Sequence, residues 1–124
     1  MVENNYGHFR KYNLIRIEKT KKCVKTLLGR IKKPVLYDHI MYVMDTAPHY
    51  HKRVDPYTIA ASYIMFYIGV IRGRSIRKVT VMMRLHTGSV LAYYFGKFRY
   101  TMIGKFGDDI DKIIDQSTDD NIMI

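Results

Sequence analysis

Residues 55–74 read DPYTIAASYIMFYIGVIRGR, and the sixteen residues between Asp55 and Arg72 carry no charge. Such a run either crosses a bilayer or lies at the centre of a folded domain. A bilayer core needs about 20 apolar residues, and this stretch is interrupted by Thr58, Ser62 and three tyrosines. Asp55 is a natural N-cap and Pro56 fits the first helical position, where its missing N–H has no partner to lose. Gly73 supplies a C-terminal stop. The small cluster Ala60-Ala61-Ser62 lets neighbouring helices approach closely. A helix apolar on most sides is a buried one, so the rest of the chain is expected to wrap around this segment.

The flanking sequence supplies the wrapping. Residues 1–8 read as a flexible lead. From residue 9 to 31, Leu14, Ile17, Val24, Leu27, Leu28 and Ile31 recur at three- and four-residue spacings, with Lys19, Lys21, Lys22 and Lys25 largely between them. This predicts an amphipathic helix with a basic outer face. Pro34 opens a second helix over residues 35–45 that buries Leu36, Ile40, Val43 and Met44, ended by Ala47 and Pro48. After Gly73, Ser75 caps a short helix burying Ile76, Val79, Met82 or Met83, and Leu85. His86-Thr87-Gly88-Ser89 makes a tight connection, with Thr87 or Ser89 as the next cap. A longer helix over residues 90–105 buries Val90, Leu91, Tyr94, Phe98 and Met102, with Phe106 beside them. An all-α, five-helix domain over residues 9–107 is expected. The tail, residues 108–124, places Ile110, Ile113 and Ile114 at helical spacing, which allows a weakly anchored last helix.

Charge decides which partners this globule attracts. Residues 1–107 hold twenty basic and five acidic side chains, +15, whereas residues 108–124 hold six aspartates and Lys112, −5. A body that basic draws polyanions through counterion release, and nucleic acid is the commonest of them. The single cysteine, Cys23, excludes an intrachain disulfide and a cysteine-based zinc site, and fits a reducing, intracellular setting. The first residues, MVENNYGHFRKYN, lack a secretory signal's apolar stretch. His39, His49 and His51 lie near Asp45 in sequence, but histidines around a polar loop are expected to be solvated rather than metal-bound. No phosphate-cradling glycine loop, carboxylate pair or Ser/His/Asp set is evident, so neither a cofactor nor catalysis is expected.

The stretch from residue 75 to 100, a short helix, a glycine-containing turn and a longer helix, has the helix-turn-helix outline. Taken with the central helix, DPYTIAASYIMFYIGVIRGRSIRKV resembles the third helix of a cyclin-type repeat in transcription factor B of archaea and eukaryotes. The likeness continues through Val79-Thr80, Leu85, Ser89-Val90 and Tyr94, and the segments LLGRIKKP and VLYDHIMYVMDTA resemble the ends of that repeat's first two helices. It covers residues 9–107. The resemblance implies a cyclin-like fold, a role in transcription, double-stranded DNA as ligand, and TATA-binding protein or RNA polymerase as candidate partners.

The chain also departs from that family. It has one repeat's worth of residues, and one cysteine cannot build the family's zinc ribbon. The last helix opens on Leu91, Ala92 and Tyr93 where the family's second repeat places polar and basic residues, which leaves little capacity to read base edges. Phosphate contact is the stronger expectation. Its candidates are Arg72, Arg74, Arg77, Lys78, Arg84, Lys97 and Arg99, with Thr87, Ser89 and Tyr93 at the turn and early helix. Lys21, Lys22 and Lys25 belong to a second basic surface. The competing expectation is a cyclin-fold adaptor whose aromatics, Tyr93, Tyr94 and Phe95 among them, meet a protein partner while the acidic tail shields the basic body.

Overall fold

A computed structural model describes the backbone of residues 2–50, 53–87 and 90–107, and the side-chain surroundings of 14–50, 53–83 and 91–107. The described residues form five α-helices and no strand: α1 (Val2–Arg30), α2 (Tyr37–Thr46), α3 (Pro56–Phe66), α4 (Arg77–Thr87) and α5 (Val90–Phe106). The expected acidic tail and its last helix lie outside the described residues.

The central run behaves as its composition dictates. The Asp55 carboxylate accepts the Tyr57 N–H at 2.8 Å, with Pro56 at the first helical position. From Thr58 to Phe66 all nine residues are buried, and Ser62 Oγ donates to the Thr58 carbonyl at 2.8 Å. Helices α1, α2, α4 and α5 all pack on α3. No helix among the described residues is long and apolar enough to cross a membrane.

Beyond Phe66 the α3 ladder widens rather than stopping at once. Tyr67–Ile71 form a π-helical turn, closed by the Arg72 N–H on the Tyr67 carbonyl at 2.9 Å. The Arg74 N–H then reaches back to the Ile68 carbonyl at 2.9 Å, and Gly73 takes φ +62°. Gly73 is therefore the expected left-handed stop, placed after a wider turn. Within it, a Cβ on Gly69 would lie 3.0 Å from Ile76 Cγ2. Glycine lets the lead-in to α4 pass that close.

Helix α1 departs most from expectation. It starts at Val2 rather than residue 9, so it takes in most of the segment read as a flexible lead. No proline interrupts residues 2–30, and extending a helix already nucleated costs little. Among its described side chains the buried face is Thr20, Cys23, Val24, Leu27 and Leu28, continued by Ile31 just after the helix, whereas Leu14, expected in the core, is 61% exposed and Ile17 is half-buried. The reason is direction. At about 100° per residue, Leu14 points about 110° away from the middle of that buried face and Ile17 about 50° away.

The remaining joints also differ in detail. Residues Pro34–Leu36 form a 3₁₀ turn before α2 begins at Tyr37, two residues later than expected, while Leu36, Ile40, Val43 and Met44 are all buried as predicted. α1 ends in a Schellman motif: Lys33 N–H bonds the Leu28 carbonyl at 2.9 Å and Lys32 N–H bonds that of Gly29 at 3.2 Å. Lys32 therefore adopts φ +59°, a conformation that favours glycine. Exchanging Lys32 for glycine relieves the Cβ penalty but loosens the unfolded chain. The net expectation is a gain of about 0.5–1 kcal/mol, measured by urea unfolding; a loss of stability would contradict it.

Candidate nucleic-acid interface

Helix α4 turns Val79 and Met83 inward with Ile76 half-buried beside them, and turns Arg77, Lys78, Val81 and Met82 outward. Met83, not Met82, fills the core position that the sequence left open between them. Ser75 precedes the helix, and its Oγ accepts the Arg77 N–H at a long 3.4 Å. The side chain of Leu85 lies outside the described residues. The four outward residues of α4 line a shallow open groove. Two cations at one end and two apolar side chains at the other give that groove a mixed character.

The cations sit where the backbone's own electrostatics disfavour them. A helix N-terminus carries about half a positive charge, so each nearby cation there costs about 0.3–1 kcal/mol. α4 has Arg77 and Lys78 in its first turn and no acidic residue, with Arg72 and Arg74 just before them. An anion bound at this end reverses the sign, since backbone N–H groups and cations then act together.

Helix α5 buries Leu91, Tyr94, Phe98, Met102 and Phe106, as expected; the side chain of Val90 lies outside the described residues. Phe98 is the hub, edge-on to Tyr63 at 4.8 Å between ring centroids, 6.2 Å from Phe66 and 5.9 Å from Tyr94. Burial pushes the Tyr94 hydroxyl up to about 12, partly offset by the charge of Arg16. The outer face carries Tyr93, Gly96, Lys97, Tyr100 and Ile103, with Arg99 exposed on its flank. Lys97 Nζ lies 4.5 Å from the centre of the Tyr93 ring.

The predicted contact residues thus separate into groups. Arg74, Arg77, Lys78, Lys97 and Arg99 are exposed and make no ion pair among the described residues, while Arg72 is half-buried at the end of the π turn. Arg84 and Thr87 lie within α4, Thr87 as its last residue rather than the cap of α5, and their side chains lie outside the described residues, as does Ser89. On α1, Lys22 and Lys25 are exposed, but Lys21 is half-buried and pairs with Asp45 at 3.5 Å. α1 and α4 each pack chiefly on α3 rather than on each other. Of the three residues opening α5, Leu91 is buried, so only Ala92 and Tyr93 face outward.

Tyr100 was missed by sequence reasoning although it is 83% exposed. Its signal was present: it stands seven residues after Tyr93, two helical turns along the same face. The Cys23 thiol is held protonated by burial and, secondarily, by the charge of Asp55. Among the described residues no group of three His, Cys, Asp or Glu is placed to hold a metal ion; His51 lies outside them. Comparison with known protein families, with curated proteins and with solved structures finds no match to this chain.

Proposed function

We propose that this protein is a non-catalytic DNA-binding factor of transcription or its regulation, with a cyclin-like helix arrangement akin to one repeat of transcription factor B. It holds double-stranded DNA mainly by its phosphates. The observation that carries this reading is the set of five exposed cations on α4 and α5 and just before α4, Arg74, Arg77, Lys78, Lys97 and Arg99, with no carboxylate partner among the described residues. Three of them cluster around a helix N-terminus that has no acidic residue in its first turn. That placement costs stability in the free protein and favours an anion. The start of α5 offers Ala92 and Tyr93 outward, so base-edge readout there is poor and contact is mostly with the backbone.

A mobility-shift titration at rising salt tests this. If five phosphates are neutralised, log affinity falls against log salt with a slope of about −4.5, so a rise from 50 to 200 mM weakens binding about 500-fold. Changing Arg77 and Lys78 together to glutamine reduces that slope by about 1.8. Absence of binding at low salt overturns the reading. Tight binding with a flat salt dependence overturns the phosphate-contact mode.

A further inference from the structure

The outward face of α5 holds two tyrosines whose exposure the core does not explain. Tyr93 is 70% exposed and Tyr100 83%, in a chain where Tyr63, Tyr67 and Tyr94 are buried. Seven residues apart, they lie within about 20° of the same face and about 10.5 Å apart along the axis. Apart from Lys97 and the exposed Ile103, glycines surround them. Gly96 lies three residues after Tyr93 and four before Tyr100, and Gly104 lies four after Tyr100. A Cβ at either glycine would meet nothing within 4 Å. Helix neighbours three and four apart normally lean on one another; here glycine leaves the Tyr100 ring open on two sides. Glycine inside a helix costs about 0.5–1 kcal/mol relative to alanine, so this openness is held against local preference.

Cations accompany this face. Lys97 stands between the two tyrosines with its ammonium over the Tyr93 ring, and Arg99 is exposed on the flank of α5, about 100° around the helix from Tyr100. An apolar protein partner would have to desolvate both charges. A single strand of nucleic acid complements each part: its phosphates match Lys97 and Arg99, and its unpaired bases offer planar faces to the rings. Aromatic side chains along a cationic track are how single strands are held without sequence preference. In duplex DNA those base faces are already stacked.

We infer that Tyr93 and Tyr100 form a base-stacking platform, served by Lys97 and Arg99, that binds single-stranded nucleic acid. The inference rests on the nucleic-acid reading above and specifies which form of ligand the α5 face takes. Each tyrosine receives a base of one strand while Lys97 holds the intervening phosphate and Arg99, on the flank, a neighbouring one.

The test is an anisotropy titration of the full chain with a fluorescent oligothymidine and with a labelled duplex of equal length. The wild type is compared with Tyr93→Phe/Tyr100→Phe and Tyr93→Leu/Tyr100→Leu, and circular dichroism confirms that both variants fold. Phenylalanine keeps the ring and leaves single-strand affinity within about twofold. Leucine keeps bulk but not stacking and weakens it by roughly 5- to 150-fold per position, at about 1–3 kcal/mol per base, with duplex affinity changed less than about threefold. Unchanged single-strand affinity in the leucine variant, with duplex binding intact, overturns the platform alone. Equal losses on both ligands overturn it too, because stacking on unpaired bases would spare the duplex. Failure of the wild type to bind either ligand at low salt overturns the nucleic-acid reading and the platform with it.

Discussion

Truncating Phe98 to alanine is expected to cost about 3–5 kcal/mol, the range for emptying a large aromatic site in a packed core. The ring is fully buried and lies within 6.2 Å, centroid to centroid, of Tyr63, Phe66, Tyr94 and His49. It therefore joins α5 to α3 and to the segment after α2 at one point. Four partners on three segments cannot all move in to fill one cavity, so relaxation is partial and the cost stays high. For a domain of this size the melting temperature should fall by about 15 °C. Urea unfolding with an unchanged m-value would confirm a native-state loss. A cost below about 1.5 kcal/mol would show that the surrounding rings close over the gap.

The second large effect is expected at Tyr63, through its hydroxyl rather than its ring. Tyr63 Oη donates to the Ala47 carbonyl and accepts the His49 N–H, both at 2.7 Å. One hydroxyl thus satisfies two backbone groups in the segment that follows α2, around Pro48. A phenylalanine in its place would fill the same space but leave both groups unpaired, each at about 1–3 kcal/mol where water is excluded. His49 and its neighbours are only partly buried, so water recovers part of the loss, and about 2–4 kcal/mol is expected for Tyr63→Phe. A loss under about 1 kcal/mol would mean that water replaces the hydroxyl fully.

The same hydroxyl carries a pH signature. Burial raises the pKa of Tyr63, and a nearby Tyr50 charge would raise it further; burial likewise raises Tyr94 to about 12. A folded-state pKa above the unfolded value of about 10 means that the folded form holds its proton longer. These tyrosines therefore stabilise fully below about pH 10, and their contribution is lost as pH rises through the folded values. Melting at about pH 8 and about pH 11 should show a smaller alkaline loss for Tyr63→Phe than for the wild type.

Much of this architecture was legible because it depends on local chemistry. Asp55 and Pro56 announced the start of α3, since capping and a fixed proline φ act within about three residues. Leu36, Ile40, Val43 and Met44 announced the inner face of α2 by spacing alone. Leu91, Tyr94, Phe98, Met102 and Phe106 did the same for α5. The candidate interface was legible in part. Arg74, Arg77, Lys78, Lys97 and Arg99 were chosen by charge and are exposed. Lys21 carried the same charge, but its position opposite Asp45 on α2 depends on how two helices meet.

Tertiary structure decided the matters on which a residue's own chemistry is neutral. Tyrosine has an apolar body and a polar tip and is at home inside or outside. Spacing turned Tyr94 inward, but only packing could set the Tyr63 hydroxyl between the Ala47 carbonyl and the His49 N–H. Leu14 is as apolar as Leu27, yet it stands about 140° from it around α1 and is exposed. The π turn at Tyr67–Ile71 and the left-handed Lys32 carry no signature in sequence, because each is settled by where the next helix must start. The sequence by itself determined an all-helical domain built on a buried axis with a basic exterior, since capping, spacing and charge are properties of neighbours along the chain. Which cation of α1 meets a carboxylate, and where the central helix widens, was decided by contacts between segments far apart in it.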